Sequence, residues 1–487
     1  MIARRTLLQL GLGAGVLGTV ASPALALGGA RPRSAAAVPH FTRPLTVPPV
    51  LRPVRRTRDT DHYLVVVRRA LAELVPGVRT EVLSYGGGLP GPTISATRGR
   101  RAAVHHVNTL ADPVSAHLHG GANPVEHDGG MMDTVPRGGR RTYVYENDQS
   151  AASLWVHDHA HHVESEHVYR GLSHLYLLRD PAEDALGLPS GRYDVPLVLR
   201  DARLDERGRL VYELDDAEQR STVLVNGRAW PYLDVAARKY RLRLVNASNL
   251  RTFVLALSDG APLQVIASDG GLLERPFPTP VVVVSPGERV EVVADFSGYA
   301  PGTQLVLANM TGPGPMDQVG EVLRFHVGAP APDDSRVPEV LRALPPLPEP
   351  TVRREFVLSM DEPGTGHAGH GGHGAEGRSG TINGRTFDPA RIDTRVRWGT
   401  TEHWTVTNAG ATVPHNFHLH LAQFRLLTRD GRPVDPTEAG EKDTVLLFPG
   451  QTVTLQATFD THRGVYPYHC HLVDHAAMGM TGQLEVV

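Results

Sequence analysis

The stretch His469-Cys470-His471-Leu472-Val473-Asp474-His475-Ala476-Ala477-Met478-Gly479-Met480 contains the one cysteine of a 487-residue chain. A lone cysteine has no internal disulfide partner. Read as a strand, the segment alternates faces, so His469 and His471 point one way and Cys470 the other. One short segment then serves two metal sites. A thiolate, two imidazoles and a remote thioether are the ligand types of a blue-copper electron-transfer centre, in which an axial methionine bonds weakly. His469 and His471 face a second cluster only a few bonds away.

That cluster needs more histidines, and they recur in pairs with the same one-residue gap: His117 and His119 in HLHG, His157 and His159 in LWVHDHA, His418 and His420 in HNFHLHL. Each pair is expected to present two imidazoles on one face of a strand. One such pair alone is ordinarily a solvated or core feature. Four of them around a single cysteine form a metal constellation, and His415, Cys470, His475 and Met480 remain for the thiolate site, with Met478 as the rival of Met480. Ligand softness selects copper over magnesium or calcium. Zinc, being redox-inactive, would leave the adjacent histidines without an electron source.

On these four segments the chain resembles a three-domain multicopper oxidase, from about residue 45 to the C-terminus. Within that family, Tyr169 to Asp201 is most similar to bilirubin oxidases and spore-coat laccases. The resemblance implies an all-β fold of three tandem cupredoxin-like Greek-key β-sandwich domains and four copper ions, one type 1, one type 2 and two type 3. It implies type 1 ligands His415, Cys470, His475 and Met480, and type 2 ligands His117 and His418. His119, His157, His159, His420, His469 and His471 would serve the type 3 pair. Electrons from a phenolic, aromatic-amine or tetrapyrrole donor would pass through Cys470, and four of them would reduce O2 to water. Asp128, nine residues after His119, stands where relatives keep a proton-delivering acid; its plainer reading is a turn aspartate in EHDGG. A second acid is usual six residues after the cysteine. Here that position is Ala476, and Asp474 is offset by two, which leaves the proton route near the type 3 pair open.

Composition agrees with a globular β protein, since 50 Gly and 39 Pro supply turns. A formal net charge of −3 gives no reason to expect nucleic acid or a membrane surface as partner. Small-molecule reductant and O2 are the expected partners of a monomer. At the N-terminus, Arg4-Arg5, the apolar run from Leu7 to Val20 and Ala24-Leu25-Ala26 read as a twin-arginine-type signal over residues 1–26. The apolar run is too short for a stable membrane span. Passage through the twin-arginine export machinery would place the protein in the periplasm, outside the cell or in the envelope.

Internal repeats supply the domain count independently. An asparagine ends an apolar run three times, at Val107-Asn108, Val245-Asn246 and Thr407-Asn408; Pro136-Arg137-Gly138, Pro286-Gly287 and Pro449-Gly450 each precede an alternating strand. The expected domains are 45–182, 190–330 and 351–487, with a Pro-rich linker at 331–350. His157 lies 21 residues after Pro136 and His469 20 after Pro449, whereas the like offset from Pro286 reaches Val306, in a segment without histidine. The middle repeat is therefore expected to be a spacer without ligands. GHAGHGGHG, with His367, His370 and His373, reads as a flexible solvated loop or as an auxiliary copper-gathering one. The second makes the protein a cuprous oxidase for copper tolerance. A non-enzymatic family scaffold is disfavoured, because such members lose ligands. His105, His106, His161, His162, His167 and His174 read as structural residues or as partners for the ligands' other ring nitrogens.

Overall fold

Three times the chain builds one frame, and a buried asparagine closes it each time. Strand Arg101–Asn108 lies parallel to Thr60–Glu73 and antiparallel to Arg140–Tyr145. Lys239–Asn246 stands in the same relation to Asp194–Ala202 and Arg289–Asp295, and Thr400–Asn408 to Val352–Met360 and Thr452–Phe459. Asn108, Asn246 and Asn408 end these strands fully buried. Each Oδ1 accepts the amide two residues on, of Leu110, Ser248 and Gly410. Each Nδ2 donates to two carbonyls, one in the turn that follows and one just before the Pro-containing turn: Asp112 and Val135, Arg251 and Val284, Val413 and Leu447. An Asx turn that also clamps a distant carbonyl explains why asparagine recurs at this position.

The computed structural model describes residues 38–360 and 378–487. The signal segment and His367, His370 and His373 lie outside the described residues. A second sheet covers each frame. In the first domain it comprises Gly91–Thr97, Ser173–Arg179, Ala152–Asp158 and Ala116–His119; in the third, Thr394–Val396, Thr481–Val486, Gly464–His469, His415–Leu419 and Thr444–Leu447. The middle domain places Phe253–Leu257 where these carry histidines. Side chains between the paired sheets form three cores, with Val104, Leu118 and Tyr143 in the first, Leu244, Phe253 and Val292 in the second, and Trp404, Phe417 and Tyr468 in the third. This is sheet-on-sheet packing of β-sandwiches. Among the described residues the longest helix, Glu164–Arg170, has seven residues, and no helix is long and apolar enough to cross a membrane.

Residues 331–350 run as irregular chain strapped to the domains on either side. Arg336 N donates to Gly187 O and Leu341 N to Glu274 O, while Arg425 Nη1 and Gln456 Nε2 donate to Pro345 O and Pro348 O.

Candidate metal centres

The histidine pairs do not lie wholly on strands. His117 and His119 occupy Ala116–His119, but His157, His418 and His469 sit on their strands while His159, His420 and His471 fall just beyond strand ends. The expectation of two imidazoles on one strand face thus holds for one pair of the four.

What assembles is one buried cluster drawn from the first and third domains. Nε2 of His469 lies 3.2 Å from Nε2 of His159 and 3.2 Å from Nε2 of His420. Nε2 of His471 lies 3.2 Å from Nε2 of His157 and 3.0 Å from Nδ1 of His119. Members of one pair therefore serve different positions: His157 and His159 split between the two groups, as do His469 and His471. Residues two apart on a strand are separated by roughly 6.5 Å, which suits two neighbouring metal ions better than one. His117 and His418 complete the cluster, their rings stacked on His420 and His119 at centroid distances of 3.8 Å.

Hydrogen bonds fix which nitrogen of each ring is free. Nδ1 donates to a backbone carbonyl in His117 (Asp128 O, 2.7 Å), His157 (Asp158 O, 3.0 Å), His418 (Asp443 O, 2.8 Å) and His469 (Cys470 O, 3.0 Å). In His420 it donates to the Asp128 carboxylate at 2.8 Å. Nε2 of these five rings is left as a lone-pair donor pointing inward. His119 is reversed: its Nε2 donates to Asp443 Oδ1 at 2.9 Å, so Nδ1 faces the cluster. Burial first, and then the neighbouring histidines, hold His117, His119, His159, His420 and His471 well below the usual imidazole range. Neutral imidazole is the form that binds metal.

The second centre is smaller. His415 Nδ1 and His475 Nδ1 lie 3.1 Å apart, and each is 3.9 Å from the buried Cys470 Sγ. Met480 is fully buried, its amide donating to His475 O at 3.1 Å and its carbonyl accepting from Cys470 N at 3.0 Å. These bonds seat it beside the three converging donors.

Three multicopper oxidase family models match in succession over residues 67–183, 202–322 and 358–487. The chain is 36% identical over 471 residues to the bilirubin oxidase of Albifimbria verrucaria, spanning 90% of this chain and 79% of that protein. It is 32% identical over 516 residues to a laccase of Bacillus subtilis strain 168, spanning 92% and 98%. A multi-copper oxidase crystal structure from Pediococcus acidilactici matches with a TM-score of 0.84 at 31% identity over 94% of each chain. This chain is a multicopper oxidase. The residues present fit copper: among the described residues His117 Nε2 and His418 Nε2 are buried without a hydrogen-bond partner, and thiolate with imidazole is a copper donor set.

As in the sequence reading, the oxidase's middle domain contributes no histidine to these clusters among the described residues. It is more than a spacer, however. Arg289, fully buried, donates from Nη1 and Nη2 to the two carboxylate oxygens of Asp443 at 2.7 and 2.6 Å, and from Nε to Ser153 O at 2.9 Å. One guanidinium thereby joins all three domains and holds the acid that orients His119. Gly287 presses bare backbone on two rings: a Cβ there would come 2.9 Å from His471 Cγ and 3.1 Å from His119 Cε1, and its φ is +87°. Asn416 connects the centres, its Oδ1 accepting from the amides of His471 and Leu472 while its Nδ2 donates to Pro286 O.

Asp443, Arg289, Gly287 and Asn416 escaped the sequence reading. One signal existed for Asp443, the repeated tripeptide Asp133-Thr134-Val135 and Asp443-Thr444-Val445. Asp128 is buried rather than a surface turn residue, lies 3.6 Å from His117 Nδ1, and is pushed well above the usual carboxylate range by burial. Asp474 is also buried but fully engaged, accepting from Arg220 Nη2 at 2.7 Å, Asn249 Nδ2 at 2.8 Å, Asp215 N at 2.8 Å and Ser165 Oγ. Held by these partners, it gives no substitute for the acid absent at Ala476. Of the remaining histidines, His167 donates from Nδ1 to Asp158 at 2.9 Å, bracing the turn between His157 and His159.

Proposed function

We propose that this multicopper oxidase takes electrons singly from phenolic, aromatic-amine or tetrapyrrole donors and uses four of them to reduce O2 to two waters. The observation that carries the reading is the continuity of the two centres: Cys470, in one, is bonded on both sides to His469 and His471, in the other. Copper bound at both would supply the one-electron redox chemistry. His415, Cys470, His475 and Met480 would hold type 1 copper, His117 and His418 type 2, and His119, His157, His159, His420, His469 and His471 the type 3 pair, four ions in all. The peptide bonds of Cys470 give the short covalent path between the sites. Asp128, bonded to His420 Nδ1 at 2.8 Å and 3.6 Å from His117 Nδ1, is placed where dioxygen reduction would draw protons. Copper content, with oxygen uptake measured against a phenol, bilirubin and Cu(I), tests the reading; fewer than about four copper ions per chain with full oxidase activity would defeat it.

A cuprous-oxidase reading is favoured by one observation. Gly380 lies against Met480, a Cβ there meeting Met480 Cβ at 2.9 Å and His475 O at 3.2 Å. His367, His370 and His373 precede Gly380 by thirteen, ten and seven residues in the sequence. A structure described as a metallo-oxidase from Campylobacter jejuni matches this chain at 26% identity with a TM-score of 0.79. Replacing the three histidines with alanine separates the readings, since only the cuprous activity would fall. Export through the twin-arginine route as a monomer completes the proposal, supported by Arg4-Arg5 and Ala24-Leu25-Ala26. N-terminal sequencing of protein recovered outside the cytoplasm checks it.

A further inference from the structure

Reducing one O2 to two waters consumes four protons as well as four electrons, and the histidine cluster is closed to solvent. Asp128 serves the side of His117 and His420. On the side of His159, a second acid is placed for the same work.

Glu164 begins the helix Glu164–Arg170 and is 2% exposed, yet neither of its carboxyl oxygens meets a hydrogen-bond partner among the described residues. Its amide donates to Ala160 O at 2.9 Å, so it stands one turn, about 5.4 Å, beyond the residue that follows His159. Helical side chains lean toward the N-terminus, the end of the helix at which Ala160 and His159 lie. The same helix packs on Val473–Ala477, where Ser165 Oγ donates to Asp474. That second helix brings no free acid, since Asp474 is bound to Arg220 and Asn249 and the position six after Cys470 is Ala476.

Of the charged groups around Glu164, Asp158 and Glu166 are already paired, Glu166 with Arg170. Asp158, on the strand before it, is bound to His167 Nδ1 and to the amides of Ser115 and Ala160. Glu166 and His167 of its own helix line, with Val163 and Asp112, a surface cleft of about 320 Å³. Solvent thus reaches the residue next to Glu164. Burial raises the Glu164 carboxyl to about 8, so it carries a proton at neutral pH.

We propose that Glu164 is a proton-relay residue, passing protons from the Val163–His167 cleft to the His159 side of the cluster. The proposal rests on the reading that O2 is reduced there. In each delivery the carboxyl O–H bond breaks as an O–H bond of product water forms, and the carboxylate recovers a proton from solvent in the cleft.

The test uses the full copper-loaded protein and Glu164→Gln, which keeps shape and polarity but cannot relay. Stopped-flow should show the blue band bleaching under donor at a rate within about twofold of wild type, while reoxidation by O2 slows by about tenfold or more, with a larger solvent isotope effect and a changed pH profile. Glu164→Asp should recover part of the rate. Infrared spectra of the resting wild type at neutral pH should show a protonated-carboxyl C=O band that shifts in D2O and is lost in Glu164→Gln. Unchanged reoxidation and pH profile in Glu164→Gln overturn the relay while leaving dioxygen reduction intact. Should that variant fail to fold, absence of the wild-type band overturns it equally. A wild type that takes up O2 without forming two waters per four electrons refutes the proposed function and the relay together.

Discussion

The middle domain and the two outer domains share one frame and one asparagine clamp, yet they use the equivalent strand in opposite ways. Phe253–Leu257 in the middle domain is wholly apolar and completes a core, whereas Ala116–His119 and His415–Leu419 turn the same position into ligand supports. Burying histidine costs least where its nitrogens are engaged, by hydrogen bonds on one side and by metal on the other. The outer domains meet that condition at their mutual interface. The middle domain, with no facing copy, invests in hydrophobic burial and sends Arg289 and Gly287 to the interface instead. Division of labour among repeats thus comes from where each copy sits.

The comparison can be broken most decisively at the outer domains. Cys470→Ser should abolish both the visible thiolate-to-copper band and oxidase activity, because hydroxyl is a poor copper ligand and the covalent path is cut; absorption spectra and oxygen uptake check it. Retention of both would remove the copper assignment. Arg289→Met probes the middle domain's share. Removing one partner of a buried pair leaves Asp443 uncompensated, at a cost of about 3–5 kcal/mol. Chemical denaturation should show that loss, and copper counting with electron paramagnetic resonance should show depletion at the histidine cluster while the blue centre stays loaded. An equal loss from both centres would make Arg289 a general stabiliser.

Gly287→Ala is a gentler probe of the same contact. Its left-handed backbone and the 2.9 Å approach to His471 predict a loss of about 2–4 kcal/mol, with altered cluster spectra and an unchanged blue band. A neutral thermal-unfolding result would mean the rings shift freely. The smallest effect belongs to Met480→Leu, which should raise the type 1 potential while costing less than about 1.5 kcal/mol in stability. Redox titration beside Met478→Leu decides which methionine is axial, and a shift only in Met478→Leu would move the assignment.

The histidines and the cysteine that the structure brings together were legible because their type and spacing survive in one dimension. Their orientation was not. His119 uses Nδ1 because Asp443, 324 residues away, takes its Nε2, and that acid is steadied by Arg289 from a third domain. The repeated tripeptide shows the limit plainly: Asp133 is about half exposed and pairs with Arg141, while Asp443, in the same local sequence, lies buried beneath a ligand. Glu164 was equally silent, one acid among many until packing stripped it of partners.

By itself the sequence determined the three repeated β frames, through periodic apolar strands, clamping asparagines and Pro-Gly turns, and it determined the copper chemistry, through one thiol among paired imidazoles. These are local properties, set by residue type and spacing. Only the tertiary structure decided which imidazole faces which position, which acids are neutral or bound, and that the middle domain braces a site to which it gives no histidine. Those outcomes depend on burial and on contacts between residues hundreds of positions apart, and both arise only when the sandwiches dock.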